Sequence, residues 1–112
     1  MINFITGCVF VTATVYNAVQ EQTNDHPLIT ASNKQININD PGGHRWIAVS
    51  RDLEKLGFKF GVKVCIEKAG KMNGTWTVQD RMNKRYNKHI DFLVGNSIIL
   101  GKWHNVQISI NR

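Results

Sequence analysis

Apolar and polar side chains alternate along three separate stretches of this chain, and a period of two is the side-chain period of a β-strand. Val11, Ala13 and Val15 alternate with Thr12, Thr14 and Tyr16; Val62, Val64 and Ile66 with Lys63, Cys65 and Glu67; Val106, Ile108 and Ile110 with Gln107, Ser109 and Asn111. Each stretch has one apolar face to bury, so the pattern predicts an all-β chain. Residues 35–38, 46–49, 75–79 and 89–94 read as further strands with less regular alternation. The last two are apolar on nearly both faces, as expected of strands in a closed barrel.

Turn chemistry separates these runs. Asp40-Pro41-Gly42-Gly43 cannot continue a strand, and Asn73-Gly74 offers the positive φ angles of a tight hairpin turn. Ser50 is placed to cap a short helix through Leu53 and Leu56 that stops at Gly57. Residues 19–29 are polar, contain Pro27 and have no period, which predicts a long surface loop.

A chain of 112 residues, 42% of them hydrophobic, fits one domain spanning 1–112. Its formal charge of +6 favours anionic partners without choosing among nucleic acid, acidic lipid and anionic wall polymer. Two cysteines, Cys8 and Cys65, allow at most one bridge and no disulfide framework. No run approaches the roughly 18 apolar residues of a membrane-crossing helix. Ile5-Thr6-Gly7-Cys8 has the small-residue-then-cysteine look of a lipoprotein processing site, against the plainer reading that Cys8 belongs to the first strand.

The chemistry-bearing feature is a pair of carboxylates, Asp80 and Asp91, at the ends of two strand-like runs joined by a basic loop. Asp91 lies between Ile90 and Phe92, where loss of water would disfavour the ionised form, and a carboxyl group that keeps its proton can donate it. The plain alternative is that each aspartate caps a turn or pairs with a lysine. His26, His44, His89 and His104 have no zinc-site spacing, and Gly42-Gly43 is not followed by the Lys-Ser or Lys-Thr of a phosphate loop, so neither metal nor cofactor is expected.

Taken in order, Thr12-Ala13-Thr14-Val15-Tyr16-Asn17-Ala18, Ile29-Thr30-Ala31-Ser32, Trp46-Ile47-Ala48-Val49-Ser50, Phe60-Gly61-Val62-Lys63-Val64, Val78-Gln79-Asp80 and His89-Ile90-Asp91-Phe92 resemble the three-aspartate (3D) domain. That family is related to rare lipoprotein A and to the catalytic barrel of membrane-bound lytic transglycosylase A. The resemblance implies a six-stranded double-psi β-barrel with one or two short helices, acting on peptidoglycan. One of the family's three aspartates is missing or displaced by two positions: Ser50 stands at its place and Asp52 is the nearest carboxylate. The loop of residues 81–88 also lacks the family's glycines and carries four cations.

The implied reaction is lytic transglycosylation, with cleavage of the bond between N-acetylmuramic acid and N-acetylglucosamine to give a 1,6-anhydro product. Asp91 matches the family's acid, and Asp80 would be its hydrogen-bond partner. The resemblance further places Tyr16, Thr30 and Ser32 as hydroxyls for sugar polar groups, and Trp46 as a flat face for a pyranose ring. Ser50 is a weak substitute for the absent acid. Arg81, Lys84 and Arg85 would meet substrate carboxylates. The expected partner is peptidoglycan or a related glycan, with no metal, with nucleic acid not expected, and with a monomeric protein. The location is the cell envelope, provided an export signal precedes the chain.

Two readings compete with the enzyme. One is a glycan-binding barrel without catalysis, suggested by Ser50. The other is a binder of nucleic acid or another anionic polymer, suggested by Tyr86 set among the cations of the basic loop. For Trp76, on an apolar run, core packing is the expected role.

Overall fold

The computed structural model describes residues 8–17, 29–95 and 100–111. It contains strands β1 (Val9–Asn17), β2 (Trp46–Val49), β3 (Lys63–Glu67), β4 (Gly74–Arg81), β5 (His89–Val94) and β6 (Lys102–Ile110), with helix α1 (Arg51–Lys55) between β2 and β3. Single 3-10 turns occur at Pro41–His44 and Gly70–Met72. The strands close into a barrel in the order β1-β5-β2-β4-β3-β6. Pairs β1–β5 and β2–β4 are parallel, and the other four are antiparallel.

Alternation puts one face of every strand inside. Val11 and Ala13 of β1, Ile47 and Val49 of β2, Val64 and Ile66 of β3, Trp76 and Val78 of β4, Ile90, Phe92 and Val94 of β5, and Val106 and Ile108 of β6 form one interior cluster. Phe92 lies at its centre, fully buried, with ring centroids 4.7 Å from Trp76 and 5.7 Å from Trp103. Trp76 is therefore a core residue, and its indole N–H donates to the Met72 carbonyl at 2.8 Å. A smaller cluster lies outside the barrel wall, where Ile36 covers Leu93 of β5 beside Tyr16 and Trp46.

Three local expectations are corrected. Residues 35–38 do not form a strand: apart from a lone bridge between Ile29 and Gln35, the segment bends over the barrel to place Ile36 on Leu93. Asn73-Gly74 is not a two-residue hairpin turn. Gly74 has a φ of +128°, but the β3–β4 connection is a longer bend through Lys68 and Gly70, tied by Asn73 Oδ1 accepting from the Ala69 N–H at 2.8 Å. Ser50 does occupy the N-cap position of α1, yet its hydroxyl makes no capping bond there and instead accepts from the His89 N–H at 3.0 Å. The helix ends as expected, at Gly57 with φ +112°.

The expected loop at 19–29 lies, apart from Ile29, outside the described residues, as do Ile5, Thr6 and Gly7. Cys8 directly precedes β1, and Cys8 and Cys65 are both free. No helix among the described residues is long and apolar enough to cross a membrane.

Candidate active site

Asp80 and Asp91 are brought into one cleft by an indirect route. The strands that carry them, β4 and β5, follow one another in the chain but are not neighbours in the barrel, because β2 runs between them. Ala48 of β2 is the register partner of Asp91 on one side and of Asp80 on the other. Two strand spacings separate the aspartate backbones by roughly 10 Å. The methyl group of Ala48 leaves the space between them open.

The direction of Asp80 depends on a bulge. Between Ile47/Val78 and Ala48/Asp80 the β2–β4 register shifts, with Gln79 as the extra residue. Val78 faces the interior, so strict alternation would turn Asp80 inward as well. The inserted residue reverses the phase and aims Asp80 outward beside Ala48, the re-aiming that bulges perform next to functional sites.

The outward row continues beyond Asp91. Thr14 of β1 is the register partner of Asp91 on β5 and of Lys102 on β6. A belt of cross-strand neighbours therefore runs Lys102, Thr14, Asp91, Ala48, Asp80 around the outer wall. The cleft, about 280 Å³ in volume, opens over its centre and is lined by Tyr16, Ala48, Asp80, Arg81, Met82, Asn83, Tyr86 and Asp91.

Each carboxylate has its own donors. Asp80 Oδ1 accepts from the backbone N–H groups of Ala31 at 3.0 Å and Arg81 at 2.9 Å, and Oδ2 accepts from the Tyr16 hydroxyl at 3.2 Å. Asp91 Oδ1 accepts from the Thr14 hydroxyl, whose oxygen is also 3.0 Å from His89 Nε2. Asp80 and Asp91 are thus not hydrogen-bond partners, and that expectation is corrected. Nor do Ile90 and Phe92 desolvate Asp91, since alternation turns both into the barrel interior while Asp91 faces the cleft. Among the described residues neither aspartate joins an ion pair; the pair present is Arg81–Glu54, at 2.9 Å.

Tyr16 reports the field of the site. Burial first, then the charge of Asp80, its hydrogen bond and the charge of Asp91 push the phenol far above the ordinary tyrosine range, so it remains a donor. His89 is shifted the other way. Burial lowers its pKa, Asp91 opposes that shift, and Lys102 adds to it.

The other sequence-proposed residues lie around the cleft or away from it. Thr30 is buried, and its hydroxyl oxygen lies 2.9 Å from Ser32 Oγ and accepts from the Lys34 N–H at 3.0 Å. Ser32 N–H donates to the Gln79 carbonyl at 3.1 Å. Both residues build the turn that aims the Ala31 N–H at Asp80, and neither lines the cleft. Trp46 stacks on His44 at 3.8 Å and 9°, and packs against the Ile36–Leu93 cluster outside the cleft. Arg81 lines the cleft, but its guanidinium is held by Glu54 and lies 4.8 Å from the Phe60 ring centroid. Arg85 folds over Tyr86 and donates to its hydroxyl at 2.9 Å, and Lys84 is exposed in the same loop.

Ser50 is fully buried and Asp52 does not take the place of the displaced acid. Asp52 accepts from the Lys88 N–H at 2.9 and 3.2 Å, so α1 holds the end of the basic loop just where β5 begins. Partial burial pushes the Asp52 pKa up, but bonds from the Ser50 hydroxyl and the N–H groups of Lys88, Asp52 and Leu53 outweigh it and leave the net value below the ordinary one. A carboxylate depressed in the folded state contributes stability above its unfolded value near 3.9, lost as pH falls through the folded value. Acid unfolding followed by tryptophan fluorescence is therefore expected to show a shallower decline for Asp52→Asn than for the unaltered chain below about pH 4. Parallel curves would show that the Lys88 anchor contributes nothing.

Thr14, Ala48 and His89 have no part in the sequence-derived site. Thr14 sits two residues before Tyr16 on the same polar face of β1, which is the one local signal for it. Ala48 becomes visible only once β2 is known to lie between the aspartates.

Fold and site together define a closed β-barrel protein with two carboxylates in a cleft on its outer wall. Comparison with known protein families, curated proteins and solved structures finds no match.

Proposed function

We propose that the barrel is a lytic transglycosylase-like enzyme acting on peptidoglycan, with Asp91 as its acid/base group, and that its strand crossings are those of the double-psi arrangement. The observation that carries the reading is the convergence of Asp80 and Asp91 on one open cleft across Ala48. The resemblance to the three-aspartate family supplies the substrate class.

Protonated Asp91 donates to the departing glycosidic oxygen. The resulting carboxylate takes the proton from the muramoyl 6-hydroxyl, whose oxygen closes on the anomeric carbon to give the 1,6-anhydro ring. The Thr14 hydroxyl orients Asp91. Asp80, fixed by two backbone N–H groups and Tyr16, offers its negative charge across Ala48 to the positive charge that builds on the sugar ring. Such a substrate places the protein in the cell envelope.

Incubation with purified peptidoglycan, followed by mass spectrometry of the soluble products, tests the proposal. Anhydro-muropeptides are expected, and their absence at high protein concentration would refute the enzyme. One observation favours a second reading, a glycan-binding barrel without catalysis: Ser50 and Asp52 are both engaged outside the cleft, so among the described residues no third carboxylate lines it. Co-sedimentation with peptidoglycan without release of fragments would establish that reading instead.

A further inference from the structure

The proposed reaction uses Asp91 and leaves unexplained why an imidazole stands behind it. His89 precedes Asp91 by two residues on β5, on the same outward face, and its Nε2 lies 3.0 Å from Thr14 Oγ1. The Thr14 hydroxyl in turn donates to Asp91. A hydroxyl has one proton to give, so a Thr14 that donates to Asp91 can only accept from His89, which requires Nε2 to carry its hydrogen.

We propose that His89 is a positioning residue for Asp91, acting through the Thr14 hydroxyl, whose proton it keeps directed at the carboxyl group. The proposal rests on Asp91 being the acid/base group and adds how that group is oriented. With Nε2–H fixed on Thr14 and the Thr14 proton fixed on Asp91 Oδ1, the carboxyl group is held in one orientation and Oδ2 is left to carry and deliver the acid proton. The bridge survives protonation of Asp91, because the carbonyl oxygen of the acid still accepts from Thr14.

The surroundings hold His89 in this geometry. Its N–H donates to Ser50 Oγ at 3.0 Å, and its carbonyl accepts from the Ser50 N–H at 2.9 Å. The Tyr86 ring meets the imidazole edge-on, with centroids 5.0 Å apart. The charges facing it are Asp91 on its own strand and Lys102 on β6; Asp52 of α1 binds the N–H of the adjacent Lys88. Burial and Lys102 favour the neutral imidazole and Asp91 opposes them, which keeps His89 neutral to lower pH than a free histidine.

The test is an NMR titration of His89 with no glycan present, so it can fail while cleavage succeeds, or succeed while cleavage fails. In the unaltered protein a slowly exchanging Nε2–H resonance is expected at neutral pH, and its absence would overturn the proposal. Thr14→Val should abolish that resonance, whereas Thr14→Ser should retain it. Asp91→Asn should lower the His89 midpoint, and in the Thr14→Val background that shift should shrink to less than about half, because coupled sites are non-additive. An undiminished shift would mean that the two groups sense each other through space alone, and the relay would be wrong. Should Thr14→Val fail to fold, Thr14→Ala serves the same comparison.

Discussion

Asp91→Asn is expected to leave the barrel folded and to reduce the release of anhydro-muropeptides by about 100-fold or more, within the roughly 10²–10⁴-fold that a positioned acid/base group contributes. The amide is nearly the same size, and its oxygen can still accept from Thr14, so the loss isolates proton transfer from packing. Far-UV circular dichroism and co-sedimentation with peptidoglycan should be unchanged. A variant retaining full activity would remove Asp91 from the chemistry and with it the proposed mechanism. Asp80→Asn is the informative companion: its carboxylate offers charge rather than a proton, so its loss should slow cleavage while leaving the dependence on Asp91 intact.

The largest effect on stability is expected one residue further along β5. Phe92 points into the barrel, fully buried against Trp76 and Trp103. Phe92→Ala deletes the ring and leaves a cavity between two strands that cannot easily approach, which costs about 3–5 kcal/mol. Against a total stability of about 5–15 kcal/mol, that loss should lower Tm by about 12 °C or more. Urea and thermal unfolding followed by circular dichroism measure it. A cost under about 1 kcal/mol would mean that the interior collapses around the gap and that Phe92 is not the keystone of the packing.

The adjacent residues Asp91 and Phe92 illustrate what could be read from the sequence. The bounds of β5 are legible in the run of residues 89–94, but with apolar residues on nearly both faces alternation does not say which side chains turn inward, and only the folded strand puts Ile90 and Phe92 inside and Asp91 outside. The same rule failed for Asp80, where Gln79 is inserted and the phase reverses; nothing in Val78-Gln79-Asp80 announces a bulge. It also failed for β6, which begins at Lys102 rather than near Val106, since Asn105 has a φ of +56° and the β1 register shifts opposite it.

Bringing the two aspartates together was legible as chemistry but not as geometry. Their proximity depends on β2 slipping between strands consecutive in the chain, and barrel order is set by long-range pairing that no short window contains. Ser50 and Asp52 show the opposite limit. Local rules make one a helix cap and the other a possible acid, while the folded chain uses both to fasten the start of β5.

The strand order also bears on how the molecule assembles. β1 has only β5 and β6 as neighbours, so the earliest strand of the barrel has no partner until the latest two have been made. During synthesis its backbone edges must wait unpaired while the 71 residues between Asn17 and His89 emerge. Closure therefore waits until β5 and β6 are both made, and it is during this interval that the chain is most exposed to aggregation and to capture by chaperones.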